Sequence, residues 1–488
     1  MTVPVKAIVD ALAGAYLLVE RAGDGPAVVT AVTDDSRSVV TGALFCAVQG
    51  TVVDGHRFVK DARRAGAAVA MVARRVDVDL PQLVVADDRA AAAVVAATFH
   101  GRPAERLSLV GVTGTNGKST TVALVRHLLN ETGTVGALGT LGARDGTGTV
   151  LADEGLTTPG AIALHETLAA LARTGCDRVV METSSHALDQ RRTFGLEFDA
   201  GVFTNLTHDH LDYHGDLTAY RRAKLRLADQ VKGTGVLVVN ADDPAWSALA
   251  RDDPRALTFG CGDARVRARD ISMSPDGTTF TLDVPGTAGL QIRWPLLGGF
   301  NVANGLAAVA TALGLGLSPE TVVPRLETAP QVPGRLERLD AGDYVVLRDY
   351  AHTPDALRRA LAAVRPLAAG RLLVVFGCGG DRDRRKRAPM GAIAVENADV
   401  AIVTSDNPRT EDPERIIDDV EAGMAGHAYH RIADRREAIY RAIALMGTGD
   451  VLLLAGKGHE DYQVLGTDKV PFDEPALVRE AVSRRARS

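Results

Sequence analysis

Lysine is scarce in this chain: eight among 488 residues, against 47 arginines. A protein that writes arginine wherever any cation will serve places each lysine under a different constraint, because only the amine can be neutralised or modified. Cysteine is scarcer still. Cys46, Cys176, Cys261 and Cys378 are scattered, which excludes a disulfide scaffold and offers no metal-ligand spacing. No apolar run approaches the roughly 18 residues of a membrane span, and the opening Met1-Thr2-Val3-Pro4-Val5-Lys6 lacks the charged-then-apolar order of a secretory signal. A cytoplasmic protein without a membrane partner is expected. A basic excess is also missing: the formal net charge of -6 argues against a nucleic-acid partner and suits an enzyme of small molecules.

What is present has the balance of an ordinary globular protein, 46% hydrophobic and 24% charged, so the chain should bury a core throughout. Its length exceeds one core, and about 150 residues per domain gives three. Gly101-Arg102-Pro103 and Pro330-Gln331-Val332-Pro333-Gly334-Arg335 read as breaks between them. The expected organisation is α/β in three domains: a small N-terminal α/β domain (1–103), a central P-loop mononucleotide-binding parallel sheet (104–333) and a C-terminal Rossmann-like domain (334–488). In the first, residues 28–33 and 43–48 read as strands and 58–65 as a helix, with Asp34-Asp35-Ser36-Arg37-Ser38 as a turn between the strands.

The chain is organised around Leu109-Val110-Gly111-Val112-Thr113-Gly114-Thr115-Asn116-Gly117-Lys118-Ser119-Thr120-Thr121. A short apolar strand runs into a glycine-rich turn, and Lys-Ser-Thr-Thr opens a helix with apolar periodicity. That is the layout of a phosphate-binding loop, in which freed backbone N–H groups and a helix N-terminus face an anion. The lysine adds a point charge, and Ser119 offers a hydroxyl to Mg²⁺. Val112 stands at the usual first glycine, so this is a variant loop.

Three further strands of the central region end in polar clusters: Glu182-Thr183-Ser184-Ser185-His186, then Asn205 with Thr207-His208-Asp209-His210-Leu211-Asp212-Tyr213-His214, then Asn240-Ala241-Asp242-Asp243. Ligands of open α/β sheets sit beyond the carboxyl ends of strands, so these clusters should share a crevice with the loop. Glu182 and His210 could hold Mg²⁺ there. Lys224, in Arg221-Arg222-Ala223-Lys224, reads either as part of a solvated face or as one of the few lysines kept for its amine. The third domain repeats the pattern without a phosphate loop. Arg382 and Arg409 follow adjacent strands, and guanidinium groups fork onto carboxylates. Asp406, Asn407 and Glu460 offer acceptors to an ammonium, so an amino acid with more than one carboxylate would suit them.

These motifs, in this order and over essentially the full length, resemble the Mur ligases. The resemblance rests on Asp35-Ser-Arg37, Gly-Thr-Asn-Gly-Lys-Ser, Thr157-Thr158-Pro159, Met181-Glu-Thr-Ser-Ser-His186, Asn205 to Gly215, Phe300-Asn-Val-Ala-Asn304, Asp349-Tyr-Ala-His-Thr-Pro354, Gly-Asp-Arg-Asp, Asp-Asn-Pro-Arg and Lys457-Gly-His-Glu-Asp-Tyr462. It implies an ATP-dependent amide ligase using ATP and Mg²⁺, which adds diaminopimelate to the D-Glu of UDP-MurNAc-L-Ala-D-Glu through an acyl phosphate, in peptidoglycan precursor synthesis. A monomer is expected.

The resemblance also assigns roles. It implies phosphate binding by Gly114, Thr115, Asn116, Gly117, Lys118, Ser119 and Thr120, with Asn304, Arg335, Asp349 and His352 on the nucleotide side. Ser36, Thr157, Thr158, Ser184, Gln190 and Arg192 would hold the UDP-MurNAc-dipeptide. Arg382, Asp406, Asn407, Pro408, Arg409, Gly456 and Glu460 would take the incoming amino acid, the Asp-Asn-Pro-Arg form going with diaminopimelate. Lys118, Glu182, His210 and Lys224 would be catalytic, and Ser119, Glu182, His210 and Lys224 would be the metal set, Lys224 as a carbamate. The chain departs from the family at Arg348, where an apolar residue is typical, and at Arg385 and Ala388-Pro389. These changes remove no catalytic group but leave open a paralogue with a different amine acceptor in a specialised pathway.

Overall fold

A computed structural model describes residues 2–51, 53–152 and 155–485. The protein is α/β and divides into two compact units. One contains the chain up to Arg267 together with Asn304–Val322; the other contains Ala268–Ala303 and the chain from Val323 onward. Among the described residues no helix is long and apolar enough to cross a membrane.

The first unit holds a two-stranded sheet, a five-stranded N-terminal sheet and the strands of the central sheet up to Ala256–Gly260. The N-terminal sheet runs Leu18–Ala22, Gln82–Val85, Val69–Val72, Ala43–Cys46, Ala31–Thr33, antiparallel at its first pair and parallel beyond. Residues 28–33 are not one strand. Val28–Val29 pairs with Val3–Pro4, and Ala31–Thr33 joins the sheet. Between them Thr30 donates its N–H to Gly42 O and its hydroxyl to Thr41 O, which turns the chain from one partner to the other. The expected helix at 58–65 is a 3₁₀ turn, Gly55–Phe58, running into an α-helix, Val59–Arg64.

In the central sheet the strands Val135–Gly139, Arg178–Glu182, Ser108–Thr113, Phe198–Phe203, Val231–Asn240 and Ala256–Gly260 lie in that order, all parallel. Their near-continuous Val, Leu and Phe runs are what a sheet buried on both faces requires. The loop strand Ser108–Thr113 is flanked on one side by Arg178–Glu182, with Glu182 opposite Val112, and on the other by Phe198–Phe203, with Phe203 opposite Thr113. Parallel pairing therefore delivers Glu182 and Asn205 to the two sides of the glycine turn.

Helix Leu217–Asp229 is started by Asp216, whose carboxylate accepts the Ala219 N–H at 2.7 Å. It buries Tyr220, Ala223, Lys224, Leu227 and Ala228. That is a spacing of three and four residues along one inward stripe. Lys224 lies on that stripe rather than on the solvated face with Arg221 and Arg222.

The second unit is built on the order Glu337–Ala341, Val345–Asp349, Val451–Ala455, Leu372–Phe376, Val400–Val403, His430–Arg431, antiparallel at the first pair and parallel beyond. Successive residues feed opposite cores. Leu372, Val374 and Phe376 pack with helices Pro354–Val364 and Arg387–Asn397, while Leu373 and Val375 pack with Arg435–Leu445 and Glu474–Arg485. The carboxyl ends at Asp349, Phe376, Val403 and Ala455 lie along one edge.

Candidate active site

In the first unit the glycine turn closes by backbone geometry that side chains would forbid. Gly114 has φ +146° and Gly117 φ +85°; a Cβ on Gly114 would sit 1.9 Å from Thr204 Oγ1, and one on Gly117 2.2 Å from Asn304 Oδ1. The turn is then pinned by Asn205. Thr115 N–H donates to Asn205 O (2.7 Å), Asn116 N–H donates to Asn205 Oδ1 (2.9 Å), and Asn205 Nδ2 donates to Asn116 O (3.0 Å).

Two lysines meet on one carbonyl. Lys118 Nζ donates to Gly114 O (3.0 Å) and Thr115 O (2.8 Å), and Lys224 Nζ donates to the same Gly114 O at 2.7 Å. Lys224 is 1% exposed, and its amine lies 4.4 Å from the centre of the Tyr220 ring. Burial, and then the neighbouring Lys118 charge, hold its pKa well below that of an ordinary lysine. Both effects disfavour the charged form of the amine.

Glu182 is equally buried. Its Oε1 accepts the Thr140 N–H (2.8 Å), its Oε2 accepts the Thr140 hydroxyl (3.3 Å), and Thr140 in turn contacts Thr157 Oγ1 at 3.2 Å. Thr158 Oγ1 donates to Glu182 O (2.8 Å) and accepts the Ser184 N–H (3.0 Å). Arg192 donates to Thr158 O (2.6 Å) and forks onto Gln190 Oε1 (3.1 and 2.8 Å). Thr157, Thr158, Ser184, Gln190 and Arg192 thus form one continuous network leading away from Glu182.

His210 sits at φ +52° with its ring 4.8 Å from that of His186. His186 also stacks near Tyr213 (4.3 Å) and His214 (5.4 Å), and burial, reinforced by those two histidines, lowers its pKa to about 4. The imidazole of His186 is neutral at pH 7, with a lone pair to offer.

Two expected neighbours are more distant. Asn240 Nδ2 donates to Thr204 O (2.7 Å) and Asp243 accepts the Leu206 N–H (2.7 Å), so the third polar cluster supports the Asn205 segment from behind. Ser36 begins the 3₁₀ turn Ser36–Ser38 and makes no hydrogen bond to the loop network among the described residues. Asp34, two positions earlier, faces Gly160, with its Oδ2 3.9 Å from where a Cβ there would be.

The second unit brings its residues into two adjoining groups. Arg335 lies over the Tyr350 ring (5.1 Å), which also meets His352 (4.5 Å) and His459 (5.2 Å). Asp349 accepts the Leu336 N–H at 2.8 Å, and burial, opposed by Arg335, raises its pKa to about 6. Arg348, the departure from family pattern, is a buried fork onto Glu337 (3.0 and 2.6 Å). Glu337 also accepts the Gly334 N–H at 2.7 Å, so the pair braces the turn that presents Arg335.

In the second group Asp406, Asn407 and Glu460 converge on an ammonium, but it is the chain's own. Lys457 is fully buried, with Nζ 2.5 Å from Asn407 Oδ1, 3.2 Å from Asp406 Oδ1, 3.4 Å from Glu460 Oε2 and 2.8 Å from Tyr462 O. Arg409, at φ +54°, donates from Nη1 to Gly380 O (2.8 Å). Pro408 backs onto Gly380, where a Cβ would come within 1.9 Å of Pro408 O, and a Cβ on Gly456 would be 3.6 Å from Asp406 Oδ2.

Comparison with known proteins finds three matching domain families along the chain. Residues 28–108 match the Mur ligase catalytic domain, 112–312 the Mur ligase middle domain and 334–458 the Mur ligase glutamate ligase domain. The UDP-N-acetylmuramoyl-L-alanyl-D-glutamate--2,6-diaminopimelate ligase of Thermosynechococcus vestitus is 48% identical, covering 91% of each chain. That of Bacillus licheniformis is 42% identical, covering 93% of this chain and 94% of the relative. The chain belongs to the Mur ligase family. A solved ligase of the same name superposes with a TM-score of 0.70 at 33% identity over the whole of both chains. Members of this family are ATP-dependent amide ligases, and this chain is one.

Set within a Mur ligase, several residues escape a reading of sequence alone. Thr140 answers both oxygens of Glu182, yet nothing distinguishes it locally from other strand-end threonines. Lys457 did carry a signal, its rarity as a lysine, but one of its acceptors, Asn407 Oδ1, comes from a strand end 50 residues away.

Proposed function

We propose that this chain joins 2,6-diaminopimelate to the D-Glu of UDP-MurNAc-L-Ala-D-Glu in peptidoglycan precursor synthesis. The observation that carries the choice of acceptor is the state of two arginines. Arg384, Arg385 and Arg387 are all ion-paired, whereas Arg382 makes no hydrogen bond or ion pair among the described residues, and the side chain of Arg409 is tethered only through Nη1. Two guanidinium groups with unused donors suit an amino acid that carries a carboxylate beyond its own α-carboxylate.

In this reading the D-Glu γ-carboxylate attacks the ATP γ-phosphate, forming an acyl phosphate and releasing ADP. The amine of diaminopimelate adds to the acyl carbon, and the tetrahedral intermediate expels phosphate. Gly114, Thr115, Asn116, Gly117, Thr120 and Lys118 hold the phosphates, and Asn304, Arg335, Asp349 and His352 serve the nucleotide. The Thr157–Thr158–Ser184–Gln190–Arg192 network and Ser36 hold the UDP-MurNAc-dipeptide. Asp406, Asn407, Pro408, Gly456 and Glu460 shape the amino-acid site around Lys457.

Among the described residues no three His, Cys, Asp or Glu side chains converge as a metal site. A cation carried by nucleotide phosphates needs only one or two protein oxygens, which Ser119 and Glu182 can give. Ser119, Glu182, His210 and Lys224 are the residues that would hold Mg²⁺, which when bound screens the phosphate charge against the attacking carboxylate. Lys224 would join them after its neutral amine adds to CO₂ and loses a proton, becoming an N-carboxylate. The enzyme works in the cytoplasm as a monomer, with neither nucleic acid nor membrane as partner.

The test is phosphate release from ATP with the UDP-MurNAc-dipeptide and, in turn, meso-diaminopimelate, LL-diaminopimelate, L-lysine and no amine. Diaminopimelate should be the best acceptor. L-lysine turned over faster than either diaminopimelate would refute the assignment.

A further inference from the structure

The loops that carry Arg382 and Arg409 are joined by a group of side chains to which no role in the reaction has been given. Arg387 is completely buried, and its guanidinium meets Glu411 at both ends (Nη1 to Oε2, 3.0 Å; Nη2 to Oε1, 2.8 Å). The same group reaches Asp419 (2.8 Å) on helix Pro413–Glu421 and Gly379 O (3.4 Å). Glu411 passes the restraint on: its Oε1 accepts the Asp381 N–H at 2.6 Å and its Oε2 accepts Arg384 Nη2 at 3.0 Å. Asp381 then closes the circuit, accepting the Thr410 hydroxyl (2.8 and 3.0 Å) and the Thr410 N–H (3.1 Å).

This circuit encloses two strained residues. Asp381 has φ +53° and Arg409 φ +54°, left-handed conformations that non-glycine residues seldom adopt. They immediately precede Arg382 in one loop and are Arg409 itself in the other. The two acceptor arginines also pass the same point. A Cβ on Gly379 would lie 2.9 Å from Arg409 Nη1 and 3.8 Å from Arg382 Cγ. Backbone contacts hold Arg409 directly, its N–H donating to Val464 O (3.0 Å) and its O accepting the Gly466 N–H (2.8 Å), and Gly380 N–H donates to Asn407 O (2.9 Å), whereas the Asp381 N–H is held by a side chain, that of Glu411. The side-chain circuit is what ties the Asp381 turn to the Thr410 turn.

We propose that Arg387 and Glu411, acting through Asp381 and Thr410, are positioning residues that set the spacing of Arg382 and Arg409 and so the selectivity for a dicarboxylic acceptor. The inference rests on the acceptor reading above and adds residues that do not touch the substrate. Among the described residues none of the four is hydrogen-bonded to Arg335, Asp349 or His352 within the same unit, so KM for ATP serves as the control.

Three variants of the full-length protein test it: Arg387→Lys, which keeps a charge but loses the fork, Glu411→Gln, and Thr410→Val, whose exposed site makes misfolding no concern. The readouts are KM for meso-diaminopimelate, KM for ATP, and the ratio of kcat/KM for meso-diaminopimelate over L-lysine. Glu411→Gln should raise KM for diaminopimelate about tenfold and lower the ratio by at least as much, with KM for ATP within twofold of wild type. Thr410→Val should move the same quantities about three- to fivefold. If Arg387→Lys does not fold, the other two decide. Unchanged diaminopimelate KM and ratio in both folded variants, or an equal rise in KM for ATP, would overturn the proposal. A wild-type enzyme that preferred L-lysine would overturn the acceptor reading itself, and this inference with it.

Discussion

Replacing Arg348 by leucine removes one partner of a buried ion pair and makes a quantitative case. The side chains of Arg348 and Glu337 are 7% and 18% exposed, so little solvent screens the carboxylate left behind. Breaking such a pair on one side costs about 3–5 kcal/mol, because a charge stays buried without its answer. Glu337 would keep the Gly334 N–H, which places the expected loss near the lower end, about 3 kcal/mol. Adding Glu337→Gln should restore roughly half, since the amide oxygen still accepts that N–H and no charge remains. The chain has two tryptophans, Trp246 in the first unit and Trp294 in the second. Urea unfolding followed by fluorescence in a Trp246→Phe background therefore reports on the second unit. Arg348→Leu should also raise KM for ATP, because the braced turn carries Arg335, while KM for diaminopimelate stays near wild type. A loss under 1 kcal/mol for the single variant, or a double variant no more stable than the single, would refute the idea that this pair braces the turn.

Gly117→Ala should weaken ATP binding at least tenfold, measured by equilibrium titration, because the left-handed φ alone costs about 1–2 kcal/mol and the new methyl meets Asn304. Unaltered affinity would show that the turn is not held as described. Lys224→Ala should abolish most phosphate release, with partial recovery on adding a short-chain carboxylic acid; full activity without rescue would remove the carbamate from the mechanism. Asp349 gives a pH signature. Its pKa is raised from 3.8 to about 6, so its contribution to stability is complete below pH 3.8 and is lost as pH rises through 6. The shift is worth about 3 kcal/mol, about 2 of it between pH 4.5 and 7.5. Asp349→Asn, which keeps an acceptor for the Leu336 N–H, should gain that amount relative to wild type over this range. Parallel unfolding midpoints across the range would contradict it.

Strand-to-helix grammar made most of the architecture legible in advance. Where apolar runs of four to six residues end in glycine or polar clusters, as at Ser108–Thr113 and Val451–Ala455, the strand and its functional end lie where periodicity puts them. The grammar failed where a tertiary hydrogen bond overrides a local run. Residues 28–33 look like one strand, and only the pairing of Thr30 with Gly42 and Thr41 shows that they serve two sheets. The sites behaved in the same way. Phosphate-loop residues are contiguous and so visible together, whereas Thr140 and Glu411 act through Glu182 and Arg387, 42 and 24 residues away.

The lysines show how far residue type reaches and where it stops. Scarcity singles out Lys224 and Lys457 equally, and the structure buries both completely. What separates them is the company of the amine. Lys457 is met by the side chains of Asp406, Asn407 and Glu460. Lys224 is given one carbonyl, shared with Lys118, and the face of a tyrosine ring. A buried cation so poorly answered next to another cation favours loss of its proton. The same residue type thus ends among three side-chain acceptors in one unit and on a single shared carbonyl in the other, a difference that residue type alone does not show.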